Sequence, residues 1–245
     1  MIKIQKILQK YVTVLPIIFL FLSIFVLRSK VQYFYLLAIS LVILLIVAQR
    51  NSKLNSDIHL AQWLLILSAI GLSASSVLSI EKIELLSQPG HVSSCSISPI
   101  VACSPIITSN QASAFGFANP FIGIFGFSAV FTAAMTILAG AKKLHKIWWR
   151  TLFTGIAFNA GFCAWLFYQG VFNIGKLCLY CMSVWLVTYA MFWLAADYCV
   201  RNRYISFGYK INKLLSYKYE LIATTFAIIV VLLFIRWSDY WTSLL

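Results

Sequence analysis

Apolar residues along the chain gather in long runs, set apart by short polar or basic stretches. Seven runs approach the length of a membrane span: about 11–27, 31–49, 60–80, 120–141, 151–172, 177–196 and 221–236. A helix needs roughly 20 apolar residues to cross about 30 Å of hydrocarbon. The first and last runs are the shortest. Lys3, Lys6 and Lys10 precede the first run, as in a signal peptide. No small-x-small cleavage site follows it; Arg28, Ser29 and Lys30 do, so the run is expected to remain as an anchor helix. One connection is long. Residues 81–119 hold Pro89-Gly90, Pro99, Pro105 and many serines, and Pro120 closes the stretch. Long connections of this kind are usually functional. Phe115-Gly116-Phe117 marks this one as lying on the membrane.

Composition removes the competing classes. The chain is 62% apolar and 10% charged, against about 45–50% and about 25% in soluble domains. Such a chain lacks the polar residues to cover a water-facing surface. Its hydrophobicity excludes disorder. Six cysteines in 245 residues are too few for a secreted disulfide scaffold. An all-α integral membrane protein of about seven spans is expected.

The net charge of +13 follows from topology. Basic residues fall mainly in 1–10, 50–59, 142–150 and 197–220, which are alternate loops. Arg28, Lys30, Lys82, Lys176 and Arg236 are the others. Cytoplasmic loops collect Lys and Arg, so the N-terminus is expected in the cytoplasm and the C-terminus outside. No nucleic-acid partner is needed to explain the charge. Trp148, Trp149, Trp237, Tyr240 and Trp241 sit near span ends, where interfacial aromatics are expected.

The cysteines carry the chemistry. Cys95 and Cys103 lie in the long loop; Cys178 and Cys181 form a C-x-x-C at the start of the sixth span. The charge pattern puts both pairs on the non-cytoplasmic side, where disulfides persist. A helix N-terminus favours an anion, and Lys176 lies two residues from Cys178. Both favour the thiolate, which is the reactive form. Two pairs in series read as a thiol–disulfide relay, with a lipid-soluble quinone as the outlet for electrons. Two other readings stay open. The loop pair alone could be a structural staple. The C-x-x-C could be half of a zinc site, but zinc needs four ligands, and His91 is the only added donor nearby. No metal is expected. Cys163 and Cys199 read as inert apolar residues.

Cys95-Ser-Ile-Ser-Pro-Ile-Val-Ala-Cys103-Ser, Ala114-Phe-Gly-Phe117, Asn119-Pro-Phe-Ile-Gly-Ile-Phe-Gly126 and Cys178-Leu-Tyr-Cys181 occur in that order. The set resembles the vitamin K epoxide reductase family, closest to its bacterial branch, over about 60–200. The resemblance implies a four-helix bundle around a quinone, formed by the spans at 60–80, 120–141, 151–172 and 177–196. Residues 1–59 would add two N-terminal helices, and 201–245 a cytoplasmic loop and a C-terminal helix. Loop 81–119 would cap the pocket.

Bacterial members resemble disulfide-generating oxidases of the inner (plasma) membrane. They reoxidise a periplasmic or otherwise extracytoplasmic thioredoxin-fold thiol oxidase and reduce ubiquinone or menaquinone. By resemblance, Cys95 meets the partner, Cys103 carries electrons to Cys178, and Cys181 faces the quinone. Asn119 matches an asparagine that bonds a quinone carbonyl; it also reads as a helix N-cap before Pro120. Ser104 is a pocket-lining or capping residue. Trp185 stands where animal members carry a quinone-contacting tyrosine. Many bacterial relatives continue into a fused thioredoxin-like domain, whereas this sequence ends at Leu245. A separate partner is therefore expected.

His59, His91 and His145 read as ordinary interfacial residues. No Ser/His/Asp set, P-loop or G-x-G-x-x-G occurs. Asp197, Glu220 and Arg236 fall at span ends, which weakens a transporter reading. The expected function is quinone-linked disulfide formation. The alternatives are a quinone or quinone epoxide reductase, and a polytopic scaffold or transporter with a stapled loop.

Overall fold

The structure, a computed structural model, describes residues 2–25, 31–50, 55–88, 90, 93–141 and 144–242. The described residues form helices and their connections, with no strand. Helices α1 (Ile2–Phe25), α2 (Val31–Arg50) and α3 (Ser56–Ser87) come first. A short helix α4 (Cys103–Ile107) and a 3₁₀ turn (Asn110–Ser113) follow within the long connection. Then come α5 (Asn119–Leu138), α6 (Lys146–Tyr168), a π-helical turn (Gln169–Ile174) and α7 (Leu179–Arg201). Helices α8 (Tyr209–Leu215), α9 (Lys218–Arg236) and α10 (Ser238–Thr242) complete the chain.

Six of these helices are long and apolar enough to span a membrane; Tyr11–Phe25 of α1 is a shorter apolar stretch. The chain is an all-α membrane protein. His91, Arg28, Lys30, Lys53, Lys142 and Lys143, used above for ligand and charge arguments, lie outside the described residues. So do the side chains of Lys3, Lys6, Lys10, Arg50 and Trp241.

Helix α3 is the axis. It packs against α5 and α7, α6 joins α7 and α5, and the ring of four is closed. Its apolar window is 78% buried, against 0% for the peripheral α9. Lipid tails are as apolar as leucine, so helices associate through close packing and polar bonds rather than hydrophobic gain. Both devices are present. Gly71 lets Phe127 of α5 lie directly on α3, where a Cβ would meet the Phe127 ring. Gln49 of α2 donates to Gln62 of α3 at 3.0 Å in a buried site.

Gly71→Ala is expected to cost about 1–3 kcal/mol, the usual penalty for overpacking. Gly126→Ala, whose Cβ meets nothing within 4 Å, should be neutral. Thermal unfolding in detergent compares the two.

Two boundaries differ from the reading of the apolar runs. Helix α3 does not stop at residue 80 but continues to Ser87. The stretch Glu-Lys-Ile-Glu-Leu-Leu is a good helix former even though it is no longer uniformly apolar. Glu81 and Lys82 thus belong to a core helix and not to the loop. The fifth span ends in a π turn closed by Gly175 at φ +68°, a left-handed position suited to glycine. Trp149, expected at an interface, is instead 3% exposed and stacks on Tyr204.

The peripheral helices are tied to the core by polar bonds. Lys218 of α9 pairs with Asp197 of α7 at 2.8 Å, and Trp193 donates to Thr225 at 3.0 Å. Arg236 donates to Val171 O in the π turn at 3.1 Å.

Candidate redox site

The segment before α4 is pinned to the segment before α7 by backbone pairing. Val101 and Leu177 form a parallel bridge: Leu177 N–H donates to Ile100 O at 2.8 Å, and Ala102 N–H to Leu177 O at 2.9 Å. Lys176 Nζ donates to Pro99 O at 2.7 Å. The lysine therefore clamps the loop, a role the sequence did not assign to it. Cys103 opens α4 two residues beyond Val101, and Cys178 is the N-cap of α7 one residue beyond Leu177. The bridge thus sets the two cysteines side by side.

Cys95 and Cys103 form a disulfide with a Cα–Cα distance of 5.7 Å, while Cys178 and Cys181 are free thiols. The sulfurs of Cys95, Cys103 and Cys178 all lie within 4.8 Å of one another. Two of these three sulfurs are spent in a disulfide, so the trio is not a metal-ligand set in this state. All three residues are 0% exposed. The loop pair is thus covered in this state. Ile97 on the covering turn is 64% exposed.

Cys181 lies one helical turn further on and lines a cavity. All four core helices and the capping turns contribute to its wall, which is mostly apolar. Asn119, Trp185, Asn159, Lys82 and Cys163 share that wall with Cys181. Trp185 is 4% exposed and packs edge-on to Phe167. Cys163, expected to lie apart from the relay, stands in the wall and bonds Thr188. Cys199 is remote from it, against Trp149.

Asn119 caps nothing in α5, whose N-cap is Ala118. Its Nδ2 donates to Gln111 O at 2.7 Å, and its Oδ1 accepts from Ala114 N–H at 2.9 Å. Lys82 Nζ donates to Ser113 Oγ at 2.7 Å and to Ala112 O at 3.2 Å. Both residues fasten the 3₁₀ turn that roofs the cavity. Phe115 and Phe117 beside the roof are half exposed. Ser104 is outside the cavity wall; its hydroxyl accepts from Ser93 N–H at 3.3 Å.

Helix α2 also reaches the site. Tyr35 donates to Leu179 O, inside the C-x-x-C, at 2.6 Å, and Ser183 donates to the Tyr35 oxygen at 2.9 Å. Phe34 packs edge-on to Tyr180. The N-terminal segment, for which the motifs gave no role, buttresses the reactive turn. Tyr35→Phe should cost about 1 kcal/mol, the net value of one hydrogen bond, read as a lower melting temperature in detergent.

The model of the vitamin K epoxide reductase family matches residues 62–196. The chain belongs to that family. This vitamin K epoxide reductase homologue is accordingly a membrane redox enzyme, and the matched span holds the loop pair, the C-x-x-C and the cavity wall. No curated protein matches the chain.

Proposed function

We propose that the chain oxidises a separate thioredoxin-fold thiol oxidase outside the cytoplasm and delivers the electrons to quinone, sustaining disulfide formation from the inner (plasma) membrane. One observation carries the reading: a disulfide and a third sulfur lie within 4.8 Å, next to a C-x-x-C whose second cysteine lines an apolar cavity. A structural staple has no use for the third sulfur.

Exchange proceeds through mixed disulfides. A partner thiolate attacks Cys95, and the Cys95–Cys103 bond breaks with its electron pair on Cys103. The partner's second thiolate then attacks the partner's own half of the mixed bond and releases Cys95 as a thiol. Cys103 next attacks Cys178 of an oxidised Cys178–Cys181 pair, and the electron pair leaves on Cys181. Cys95 attacks Cys103 and expels Cys178. The products are a loop disulfide and two reduced cysteines in the C-x-x-C, the arrangement present in the structure.

A quinone bound in the cavity supplies the two-electron acceptor. The cavity's apolar wall carries a few polar groups, as the walls of ligand sites do. Asn119, Asn159 and Trp185 of that wall would hold such a ring. Asn119 and Lys82 keep the roof in place, which excludes water and fixes orientation.

The test is quinone reduction by purified protein in detergent, with dithiothreitol in place of the partner. Turnover with ubiquinone or menaquinone supports the reading. No turnover with either, in protein shown to be folded, sinks it.

A further inference from the structure

Each transfer between the two cysteine pairs moves protons as well as electrons. Cys103 and Cys95 give up a proton each as they attack. Cys181 and Cys178 take up one each as they leave. Yet Cys95, Cys103 and Cys178 are 0% exposed, so bulk water is not beside them. Something within the protein must hold the protons in transit.

The sequence contains six acidic residues. One of them, Glu81, is buried at this site at 5% exposure. Its Oε1 accepts from the Ser94 hydroxyl at 2.6 Å and from Ser94 N–H at 3.3 Å. Ser94 is the neighbour of Cys95 in sequence. It also shares a hydrogen bond with the hydroxyl of Tyr180, which lies between Cys178 and Cys181. On the other side, the Ser93 hydroxyl lies 3.6 Å from Cys95 Sγ. Glu81, Ser94 and Tyr180 therefore form one hydrogen-bonded set reaching from beside Cys95 into the C-x-x-C turn, and the Ser93 hydroxyl stands separately at the Cys95 sulfur.

We propose that Glu81 is the proton carrier of the exchange between the two cysteine pairs, acting through Ser94 and Tyr180. The proposal rests on the relay reading but not on quinone. As the loop cysteines attack, the Glu81 carboxylate takes up their proton by way of Ser94. As the C-x-x-C sulfurs leave, it returns the proton through Ser94 and the Tyr180 hydroxyl. Two passes move two protons with the two electrons, and the carboxylate ends unchanged. No outside oxidant or acid is consumed. Glu81 works through its neighbours and is a positioning residue for the sulfur chemistry.

The surrounding titratable groups come from every packed element. They are Tyr35 of α2 and Cys178 and Tyr180 at the start of α7, while Cys95 of the loop is held in the disulfide. The adjacent cation, Lys82, is turned to the roof, where it bonds Ala112 O and Ser113. Lys176 is held on Pro99 O.

The experiment follows the C-x-x-C in full-length protein purified in detergent. Fully oxidised protein is mixed with dithiothreitol and quenched with acid. Free thiols are tagged with a maleimide and mapped, so loop reduction and C-x-x-C reduction are timed separately from about pH 5 to 9. Wild type, Glu81→Gln, Glu81→Asp and Ser94→Ala are compared, and a Cys103→Ser variant subtracts direct reduction of the C-x-x-C.

The expected result is that Glu81→Gln leaves loop reduction at the wild-type rate. Transfer to the C-x-x-C falls about 100-fold, the low end for a lost acid–base group. The pH dependence of transfer flattens, Glu81→Asp recovers part of the rate, and Ser94→Ala slows the same step. A Glu81→Gln variant with wild-type transfer and an unchanged pH profile overturns the proposal and leaves the relay standing. If Glu81→Gln fails to fold, Ser94→Ala decides: slowed transfer supports the proposal, and wild-type transfer overturns it. A wild type whose C-x-x-C never exchanges with the loop overturns the relay reading, and this proposal with it.

Discussion

Cys181→Ala is expected to abolish quinone reduction driven by dithiothreitol, while the loop disulfide stays reducible. The two halves of this result have separate causes. Cys181 lines the apolar cavity, whereas Cys178 is 0% exposed and sits against the loop disulfide. Removing Cys181 therefore takes the electron donor from the cavity and leaves the loop untouched. Background turnover is expected to fall by at least about 1,000-fold, because no other group replaces a lost nucleophile in a covalent mechanism.

Cys163 is the residue to control for, since it shares the cavity wall. Cys163→Ala should retain turnover. The measurement is the absorbance change on quinone reduction. A Cys181→Ala protein that still reduces quinone at near wild-type rate would remove Cys181 from the path. Cys95→Ala, in contrast, should keep part of the small-thiol reaction and lose turnover with a protein partner. Equal loss with both reductants would contradict that division of labour.

What the sequence made legible follows the strength of each signal. The spans could be read because an uninterrupted apolar run of about 20 residues matches the hydrocarbon thickness and exceeds what a soluble core helix buries. The four cysteines could be grouped because spacing and charge bias placed both pairs at one end. The family resemblance supplied the core that the match at 62–196 then defined.

Three features were hidden for physical reasons. Glu81 and Lys82 looked like loop residues because hydropathy gives out at Ile80, although helix propensity does not, and α3 runs to Ser87. Tyr35 is one aromatic among many in the apolar runs and carries no local signal. Only tertiary contact brings it to Leu179 O across 144 positions of sequence. Asn119 looked like an N-cap because it precedes a proline, yet its amide serves the roof turn. In each case the partner lay elsewhere in the chain.

Cys95→Ala combined with Cys181→Ala is expected to trap a Cys103–Cys178 disulfide in nearly all molecules. The mixed disulfide of the relay has two ways to resolve. Cys95 attacks Cys103, or Cys181 attacks Cys178. Removing both attackers leaves two thiols whose sulfurs lie within 4.8 Å in the wild-type structure, held there by the Val101–Leu177 bridge. Their partners for any other pairing are gone, since Cys199 lies against Trp149 and Cys163 against Thr188.

Mild oxidation, alkylation and proteolytic mapping would read the cross-link directly, with no quinone and no partner protein present. The single variants should show far less of it, because each keeps one resolving thiol. Lys176→Ala should lower the yield by releasing the clamp on Pro99 O. Two freely alkylated thiols in the double variant would mean that the loop and the C-x-x-C do not exchange. The loop disulfide would then be a staple, whatever the cavity binds.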